Sequence, residues 1–300
     1  MGMEVSSTNL RVLRQIAESG SFTAAAAQLG YTQSAVSRQA AALERSVGAT
    51  LFERRPDGVR LTPAGLGLLR HARTVLDAVA AAEQELAGGG RRQTETVRLG
   101  LVLSAGAALL PAVLGRLARD EPHISVMTRE GTTPSLTRAL RAGSLDLALL
   151  TSRPPHRPVD AESPRLHLET LAETELVIAA CATGPFAGRT SVHVDELVEA
   201  DWIATPSSSA ETLLGVWPAL PGRPRIVHSA RDWLTKLHLV AAGFGVTTVP
   251  PYLGRVLPPG VALLRVGGTA PEVRRLLAAR PPGAAPRAVT AVTRALALAV

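Results

Sequence analysis

Hydrogen-bonding side chains are concentrated in one short segment of the sequence, at Thr32, Gln33, Ser34, Ser37 and Arg38. A glutamine amide can pair with adenine, an arginine with guanine, and a serine hydroxyl with a base or a phosphate. A helix that presents these groups on one face could therefore read base edges in the major groove of DNA. That function depends on whether the surrounding sequence builds and positions such a helix.

Three consecutive helices are predicted at the start of the sequence. Gly20 ends the first and Gly30 the second, because glycine adopts the left-handed backbone conformation at low cost. Thr23 is expected to cap the second helix and Thr32 the third. The apolar positions that recur at helical spacing are Leu10, Leu13, Ile16 and Ala17 in the first helix and Val36, Ala40, Leu43 and Val47 in the third. This pattern fits a helix-turn-helix, and it fits a generic three-helix bundle with a solvated polar face equally well.

A basic hairpin and a long helix follow. Residues 51–62 are typical of strand, turn and strand, with a Pro-Asp-Gly turn at 56–58. Arg54, Arg55 and Arg60 cluster around that turn, where a wing can reach backbone phosphates. Thr62 and Pro63 then supply the N-cap and the first-turn proline of the long helix. Three helices, a basic hairpin and a capped helix together favour a winged helix-turn-helix.

The long helix carries an apolar stripe at alternating spacings of four and three residues. Such a stripe is typical of a seam between paired helices, although a single helix could also pack it on its own domain. The residues of the stripe, predicted to form a dimer, are Leu68, Ala72, Val75, Val79, Ala82 and Leu86. A glycine-rich hinge at 88–93 separates this helix from the rest of the chain.

About 45 residues of this region resemble the DNA-binding signature of the LysR-type transcriptional regulators. The residues that carry the resemblance are Ser21-Phe22-Thr23-Ala24-Ala25-Ala26, Leu29, Thr32-Gln33-Ser34-Ala35-Val36-Ser37-Arg38-Gln39, Leu43-Glu44, Gly48, Leu51-Phe52-Glu53-Arg54 and Leu61-Thr62-Pro63-Ala64-Gly65. The resemblance adds Ser21 and Thr23 to the residues expected at DNA. It implies a homodimer or homotetramer that sets two winged domains on a promoter dyad of double-stranded DNA.

The resemblance also implies three domains. These are a winged helix-turn-helix at 1–61, a dimerisation helix and hinge at 62–95, and an effector domain at 96–300. From Val97 onward short apolar strands alternate with helices, which predicts a parallel α/β fold. The resemblance implies that this effector domain has two lobes and is similar to periplasmic binding proteins. Lobe I is placed at about 96–165 and 268–300, and lobe II at about 166–267, each with a parallel sheet.

An effector is expected in the crevice between the two lobes. Ligands of such folds bind at the carboxyl ends of strands, and hydroxyl groups with helix N-termini suit a small carboxylate or another polar metabolite. The residues predicted to bind it are Ser104, Thr132, Thr133, Thr151, Ser207, Ser208 and Thr247. Each of these side chains could instead only cap a helix or a turn.

Other chemistry is poorly supported. The sequence has one cysteine, so neither an intrachain disulfide nor a thiolate-rich zinc site is possible within it. It has no nucleophile elbow, paired-histidine zinc motif, Walker loop or complete dinucleotide fingerprint, and we expect no catalytic residue, metal or cofactor. No secretory signal is recognisable, and the uncharged run at 99–115 contains glycine and proline. We therefore expect a cytoplasmic protein without a membrane partner.

Charge points to nucleic acid less directly than its total suggests. The formal net charge is +7, but residues 1–61 hold seven arginines against five acidic residues. From Leu253 onward there are seven arginines and one acidic residue, Glu272, and the sequence offers no role for them. Two alternatives stay open. The α/β domain could serve only oligomerisation or partner binding, or the chain could be an α/β binding protein or enzyme that does not bind DNA.

Overall fold

The computed structural model describes residues 5–55, 58–86, 95–154, 156, 165–205 and 214–300, with the backbone alone at 81 and 84–86. Three helices open the fold: α1 (Ser7–Ser19), α2 (Phe22–Leu29) and α3 (Gln33–Val47). Gly20, Gly30 and Gly48 end them with positive φ angles of 63°, 70° and 66°. The three predicted helices and their glycine ends are therefore confirmed.

The caps of these helices differ from the prediction at one position. Thr32 caps α3, since its side chain accepts a hydrogen bond from the Ala35 amide at 3.2 Å. Ser21, and not Thr23, caps α2, because the helix begins at Phe22 and the Ser21 hydroxyl accepts from the Ala24 amide. Thr23 consequently lies in the first turn of α2, where its side chain is exposed.

The predicted wing is an antiparallel pair, β1 (Phe52–Arg55) and β2 (Gly58–Leu61). Its turn residues Pro56 and Asp57 lie outside the described residues. One core unites the wing and the three helices, with Leu13, Ile16, Val36, Leu43 and Leu51 among its buried members.

Helix α4 (Pro63–Leu86) starts where the sequence predicts, with the Thr62 hydroxyl accepting from the Gly65 amide at 3.1 Å. Its first half packs on the winged domain through Leu69, Ala72 and Leu76. Ala72, which the sequence places in the dimer seam, is 1% exposed and lies in the winged core of its own chain. Ala72 belongs both to the apolar stripe and to a second apolar face of α4. That second face packs against α1, so Ala72 is buried in the core.

The first lobe is built on a sheet with the strand order β4-β3-β5-β13-β6. The strands are β3 (Glu95–Leu101), β4 (Ile124–Glu130), β5 (Leu147–Ser152), β6 (His167–Glu175) and β13 (Val273–Arg280). Strands β3, β4 and β5 are parallel, whereas β13 runs antiparallel to both β5 and β6. The last strand therefore folds back onto this lobe, as expected.

The boundary between the lobes lies later in the sequence than predicted, because strand β6 belongs to the first lobe. It pairs with β13 along its whole length, so residues 167–175 belong to the first lobe's sheet, although the sequence indicated a second lobe from about 166. Most side chains of this edge strand are exposed or half-buried, and it lacks the apolar run that marks a central strand. The chain crosses between lobes at Leu176, whose amide donates to the Glu272 carbonyl at 2.9 Å, on the return crossing.

Helices flank the first sheet. They are α5 (Leu103–Asp120), α6 (Thr133–Arg141) and α8 (Arg287–Ala297). Pro111 lies in the middle of α5, which begins at Leu103. Buried side chains of α5, α6 and α8 enclose the sheet in one apolar cluster.

The second lobe contains a sheet with the order β11-β7-β12-β8 and a parallel pair, β10-β9. Its elements are β7 (Val177–Cys181), β8 (Ser191–His193), β9 (Asp201–Ala204), β10 (Arg225–Ser229), α7 (Trp233–Ala241), β11 (Thr247–Val249) and β12 (Val261–Gly267). Both β11 and β12 run antiparallel to β7, so the expectation of a parallel sheet is wrong for this lobe. Short 3-10 helices at Val194–Leu197 and Pro251–Val256 complete it.

An ion-pair network attaches α4 to the first lobe. Arg98 on β3 bonds both Asp77 of α4 and Asp146 at 2.9 Å, and Arg73 of α4 also pairs with Asp146. Burial alone would raise the pKa of Asp146, but hydrogen bonds from Arg98 and the charges of Arg98 and Arg73 hold it below its ordinary value. Asp146 therefore stays ionised at neutral pH and fixes the helix on the sheet. No helix within the described residues is long and apolar enough to span a membrane.

Candidate functional site

The polar face of α3 is open to solvent. Thr32, Gln33, Ser34 and Arg38 are exposed and Ser37 is half-buried, while Val36 on the opposite face is fully buried. All five polar residues occupy the cap and the first two turns, so the structure brings the predicted residues together. Their side chains can reach a groove floor without disturbing the core.

The wing is held in a fixed position relative to α3. Glu44 on α3 accepts hydrogen bonds from the amides of Leu51 and Phe52 at 2.8 and 3.1 Å. The Val59 amide donates to the Gly20 carbonyl at 2.8 Å, which ties β2 to the end of α1. The two ends of the hairpin are thus anchored to two different helices, and its basic side chains project from a rigid support.

The wing arginines are exposed but not equivalent. The Arg54 guanidinium lies 5.3 Å from the centre of the Phe22 ring, in a cation–π contact that orients it beside α2. Arg55 pairs with Glu53 at 2.7 Å, although both side chains are about half exposed, so the pair is weak and a phosphate could replace it. Arg60 is exposed on β2. A phosphate contact by these three residues stays a prediction.

The outer half of α4 presents an apolar face. Val75 is 46% exposed, Ala82 is exposed and Val79 is half-buried. Leu68 is half-buried against the winged core, and the side chain of Leu86 lies outside the described residues. Of the predicted seam, Val75, Val79 and Ala82 are therefore the members available to a second copy.

Hydroxyl groups of the first lobe meet at the carboxyl ends of its parallel strands. Thr132 caps α6 after β4, and the Thr133 hydroxyl donates to the Thr151 carbonyl on β5 at 3.4 Å. Ser104, in the first turn of α5 after β3, has its oxygen 2.9 Å from the Tyr252 hydroxyl. The structure thus places Ser104, Thr132, Thr133 and Thr151 at one edge of the sheet, as a crevice site requires.

Of the three effector residues predicted in the second lobe, the structure describes only Thr247. Ser207 and Ser208 lie outside the described residues, whereas Thr247 is completely buried at the start of β11. The Thr247 hydroxyl lies 2.9 Å from the Ile203 carbonyl and 3.2 Å from that of Gly215, so backbone groups already accept its proton. Its role in effector binding stays a prediction.

Sequence reasoning gave no role to Tyr252 or Lys236, and it used Glu44 only as part of the resemblance. Tyr252 and Glu44 act through tertiary contacts that no local pattern indicates. Lys236 had a signal, because it is the only lysine in the sequence and yet is 2% exposed in the structure. Burial lowers its pKa to about 8, while the charge of Asp232 opposes the shift. The one cysteine of the sequence, Cys181, is half-buried at the end of β7, with its thiol 3.3 Å from the Ala241 carbonyl.

The winged domain also contacts the effector domain of its own chain. Glu18 at the end of α1 is 8% exposed, and its carboxylate pairs with Arg129 of β4 at 2.8 Å. Arg138 of α6 donates to the Glu18 carbonyl at 3.2 Å. Helix α6 thus starts at Thr132 and Thr133, which are predicted to bind the effector, and contacts the winged domain about one and a half turns later. Within the described residues, no cluster of His, Cys, Asp and Glu could hold a metal ion.

Comparison with protein families gives two matches that together cover nearly the whole chain. The family described as bacterial regulatory helix-turn-helix protein, LysR family, matches residues 7–66. The LysR substrate binding domain matches residues 90–299. The boundary between the two matches falls between residues 66 and 90, a range that contains most of α4.

Individual relatives agree with these matches. A probable hydrogen peroxide-inducible genes activator from Mycobacterium avium is 30% identical over 80% of this chain and 76% of its own length. The regulator TtuA from Agrobacterium vitis is 30% identical over 84% and 83%. A full-length OxyR variant from Pseudomonas aeruginosa has a similar fold, with a TM-score of 0.64 over 99% of this chain and 96% of that one, at 22% identity. CbnR in complex with its target DNA gives 0.57 over 99% and 100%, at 20% identity.

Proposed function

Because this chain belongs to the LysR family of bacterial transcription regulators, we propose that it reads a promoter dyad with the exposed face of α3. The observation that carries the proposal is the grouping of Thr32, Gln33, Ser34, Ser37 and Arg38 on the open side of a helix whose other side is buried. The protein named CbnR has been solved on its target DNA, and this chain shares its fold. Two copies would present two such faces to successive major grooves.

The effector domain supplies the control of this binding. We place a small-molecule effector between the lobes, where Ser104, Thr132, Thr133 and Thr151 meet at the strand ends. The domain would act as a sensor in the cytoplasm and not as an enzyme. Effector contacts at the N-terminus of α6 would be transmitted along that helix to Arg138, which touches the winged domain.

Two of the relatives are named as probable activators of hydrogen peroxide-inducible genes, so an oxidant is a second candidate signal. A disulfide between two cysteines of one chain cannot carry such a signal here, since the sequence contains only Cys181. Reversible binding of a metabolite is the mechanism that the hydroxyl groups of the crevice support. Thermal-shift screening with metabolites, followed by DNA binding with any hit, would separate a sensing domain from one that only oligomerises.

The DNA-reading proposal is tested by replacing Arg38 with alanine. A bidentate contact between arginine and guanine contributes roughly 1–3 kcal/mol of discrimination, so Arg38→Ala should weaken binding to the specific site and leave random DNA nearly unaffected. Fluorescence anisotropy with the upstream region of the chain's own gene and with a shuffled duplex measures both affinities.

Arg45→Ala is the matched control, because Arg45 is also exposed on α3 but lies in its last turn. We expect it to change both affinities little. Equal losses on specific and shuffled DNA for Arg38→Ala would show that Arg38 contacts phosphate only. No preference of the unaltered protein for its upstream region would contradict the proposed regulatory site there.

A further inference from the structure

A cleft lies between the winged domain and α6 of the first lobe. Its volume is about 610 Å³, which is typical of small-molecule sites in proteins. One wall is formed by α1, the turn that leads to α2, β2 and the start of α4, and the other wall is formed by α6. None of the described residues that are predicted to bind the effector lines it. The cleft is therefore a cavity distinct from the crevice between the two lobes.

Arginines from both walls line this cleft. Arg60 of β2 lies on the side of the winged domain, and Arg138 and Arg141 lie on α6. Within the part of the chain that the structure describes, no aspartate or glutamate lines the cleft. The nearby carboxylate of Glu18 is directed to Arg129, at 2.8 Å. An anion that enters the cleft would therefore meet guanidinium groups from two domains.

Arg138 has hydrogen-bond donors to spare. Its Nε donates to the Glu18 carbonyl at 3.2 Å, and its stem lies along the turn after α1, since a Cβ atom on Gly20 would lie 3.6 Å from the Arg138 Cδ. A guanidinium has five N–H donors, and no described residue accepts from the other four or forms an ion pair with Arg138. Arg60 and Arg141 form other contacts, so Arg138 is the side chain on which an anion site here would depend.

Two residues with hydroxyl groups, Ser21 and Thr137, line the same cleft. The Ser21 oxygen accepts from the Ala24 amide at 3.4 Å, and nothing within the described ranges accepts the Ser21 proton. Thr137, one turn before Arg141 on α6, is 4% exposed, and its hydroxyl has no hydrogen-bond partner among the described residues. Buried polar groups are nearly always hydrogen-bonded, so an unsatisfied one in the wall of a cavity indicates a missing occupant.

We propose that this cleft binds a phosphate group between the winged domain and α6, with Arg138 as the principal donor. The planar fork of a guanidinium matches phosphate oxygens, and hydrogen bonds between charged groups are the strong ones. One arginine fork occupies both oxygens of a carboxylate, whereas a phosphate has further oxygens for Ser21 and Arg60 on the opposite wall. A phosphate held in this way connects the two domains through its own oxygens.

The phosphate can come from either of two sources. Ser21 and Arg60 are among the residues predicted to contact DNA, so one source is the DNA backbone. In that case Arg138 extends the phosphate-contacting surface onto the effector domain, and the inference rests on the proposed function. The other source is a free phosphate ion or a phosphorylated small molecule, which would hold the winged domain against α6 without DNA.

Two measurements on Arg138→Met distinguish these sources. The ³¹P signal of inorganic phosphate, recorded with DNA-free protein at pH 7, tests the free anion. If that is the source, the unaltered protein should broaden the signal saturably and Arg138→Met should not. The salt dependence of binding to a shuffled duplex tests the DNA backbone. If that is the source, the slope of log K against log salt should fall by about 0.9 in Arg138→Met, the value expected for one phosphate contact.

Two further variants control for general effects of charge and of folding. Arg119→Met removes an exposed arginine in the last turn of α5, outside the cleft, and should behave as the unaltered protein in both measurements. Arg138→Lys keeps the charge and should retain part of whichever effect is seen. A loss in Arg138→Lys as large as in Arg138→Met would contradict the proposal.

An Arg138→Met protein that equals the unaltered one in both measurements would overturn the phosphate site. Neither the shuffled duplex nor free phosphate requires recognition of a promoter. A protein without preference for its upstream region would therefore contradict the proposed function alone, and the two failures can be distinguished.

Discussion

Lys236 shows how a buried charge can work against stability. Its ordinary pKa is 10.5, and burial lowers it to about 8 in the folded protein. The folded state therefore binds the proton more weakly than the unfolded state does. At neutral pH the amine is charged in both states, and the folded protein bears the full cost of burying that charge.

The stability of the protein should consequently rise as the pH increases from about 8 towards 10.5. In that interval the folded protein releases the Lys236 proton while the unfolded chain keeps it, so the unfolded state binds more protons. At about 1.4 kcal/mol per pH unit, the cost at neutral pH is roughly 3 kcal/mol. Lys236→Met should therefore be more stable than the unaltered protein at pH 7, and the difference should shrink as the pH rises.

Urea unfolding of both proteins between pH 7 and pH 9.5 measures this difference. Other groups that titrate in this interval are common to the two proteins and cancel in the comparison. A Lys236→Met protein that is less stable than the unaltered one at pH 7 would show that the ammonium is well compensated where it lies.

At the scale of elements, α4 has two apolar faces with different surroundings. Leu69, Ala72 and Leu76 face the winged core, whereas Val75, Val79 and Ala82 face outwards. The sequence predicts the helix, its cap and its stripe, because all three depend on local spacing. It does not separate the two faces, since a residue such as Ala72 fits either and only the position of α1 decides between them.

The outward face predicts the effect of a charge on assembly. Val79→Arg should prevent dimer formation, because an arginine at the centre of an apolar seam would have to be desolvated without a partner. Sedimentation velocity at micromolar concentration measures the change from dimer or tetramer to monomer. Ala80→Arg adds the same charge at the next, exposed position of the helix and should leave assembly intact. An unchanged oligomer in Val79→Arg would contradict the assignment of this face.

For the other elements, too, the sequence predicts the features that depend on local spacing and misses those that depend on tertiary packing. The three helices, the hairpin and the parallel strands β3, β4 and β5 follow from caps, glycines and apolar runs, and they are confirmed. The edge strand β6 and the mixed sheet of the second lobe, in which β11 and β12 run antiparallel to β7, were not predicted correctly. Partner choice between strands distant in sequence is decided by tertiary packing, and alternation within one strand carries little information about it.

At the scale of the whole molecule, four of the seven arginines of the C-terminal segment form contacts within the effector domain. Arg274 pairs with Glu272 and Arg275 with Glu173, while Arg280 donates to the carbonyls of Pro281 and Gly283. Arg255 bonds the carbonyls of Ala299 and Val300 near the last helix. Much of the positive charge that suggested nucleic acid is thus engaged within the effector domain, and DNA recognition relies on a few placed residues.

The contact between the winged domain and the first lobe links single residues to the arrangement of the whole molecule. Glu18 of the winged domain is nearly buried and pairs with Arg129 of β4. Helix α6, which also contacts the winged domain, begins at the predicted effector site. Two discrete arrangements of this contact would allow an effector to alter how the winged domain is held. The ion pair between Glu18 and Arg129 is the part of the contact that a single substitution can remove without changing side-chain volume.

Glu18→Gln should therefore loosen the docking of the two domains while each stays folded. Hydrogen bonds to charged groups contribute roughly 1.5–3 kcal/mol, so amide exchange at the end of α1 and in α6 should accelerate about tenfold or more. Hydrogen exchange with mass spectrometry resolves these segments from β5, whose central residues are buried and should be unaffected. Glu53→Gln, which breaks the exposed pair with Arg55, should change none of them. Equal acceleration in β5 would mean that Glu18 stabilises the whole fold, and unchanged exchange in α6 would mean that the ion pair does not hold the domains together.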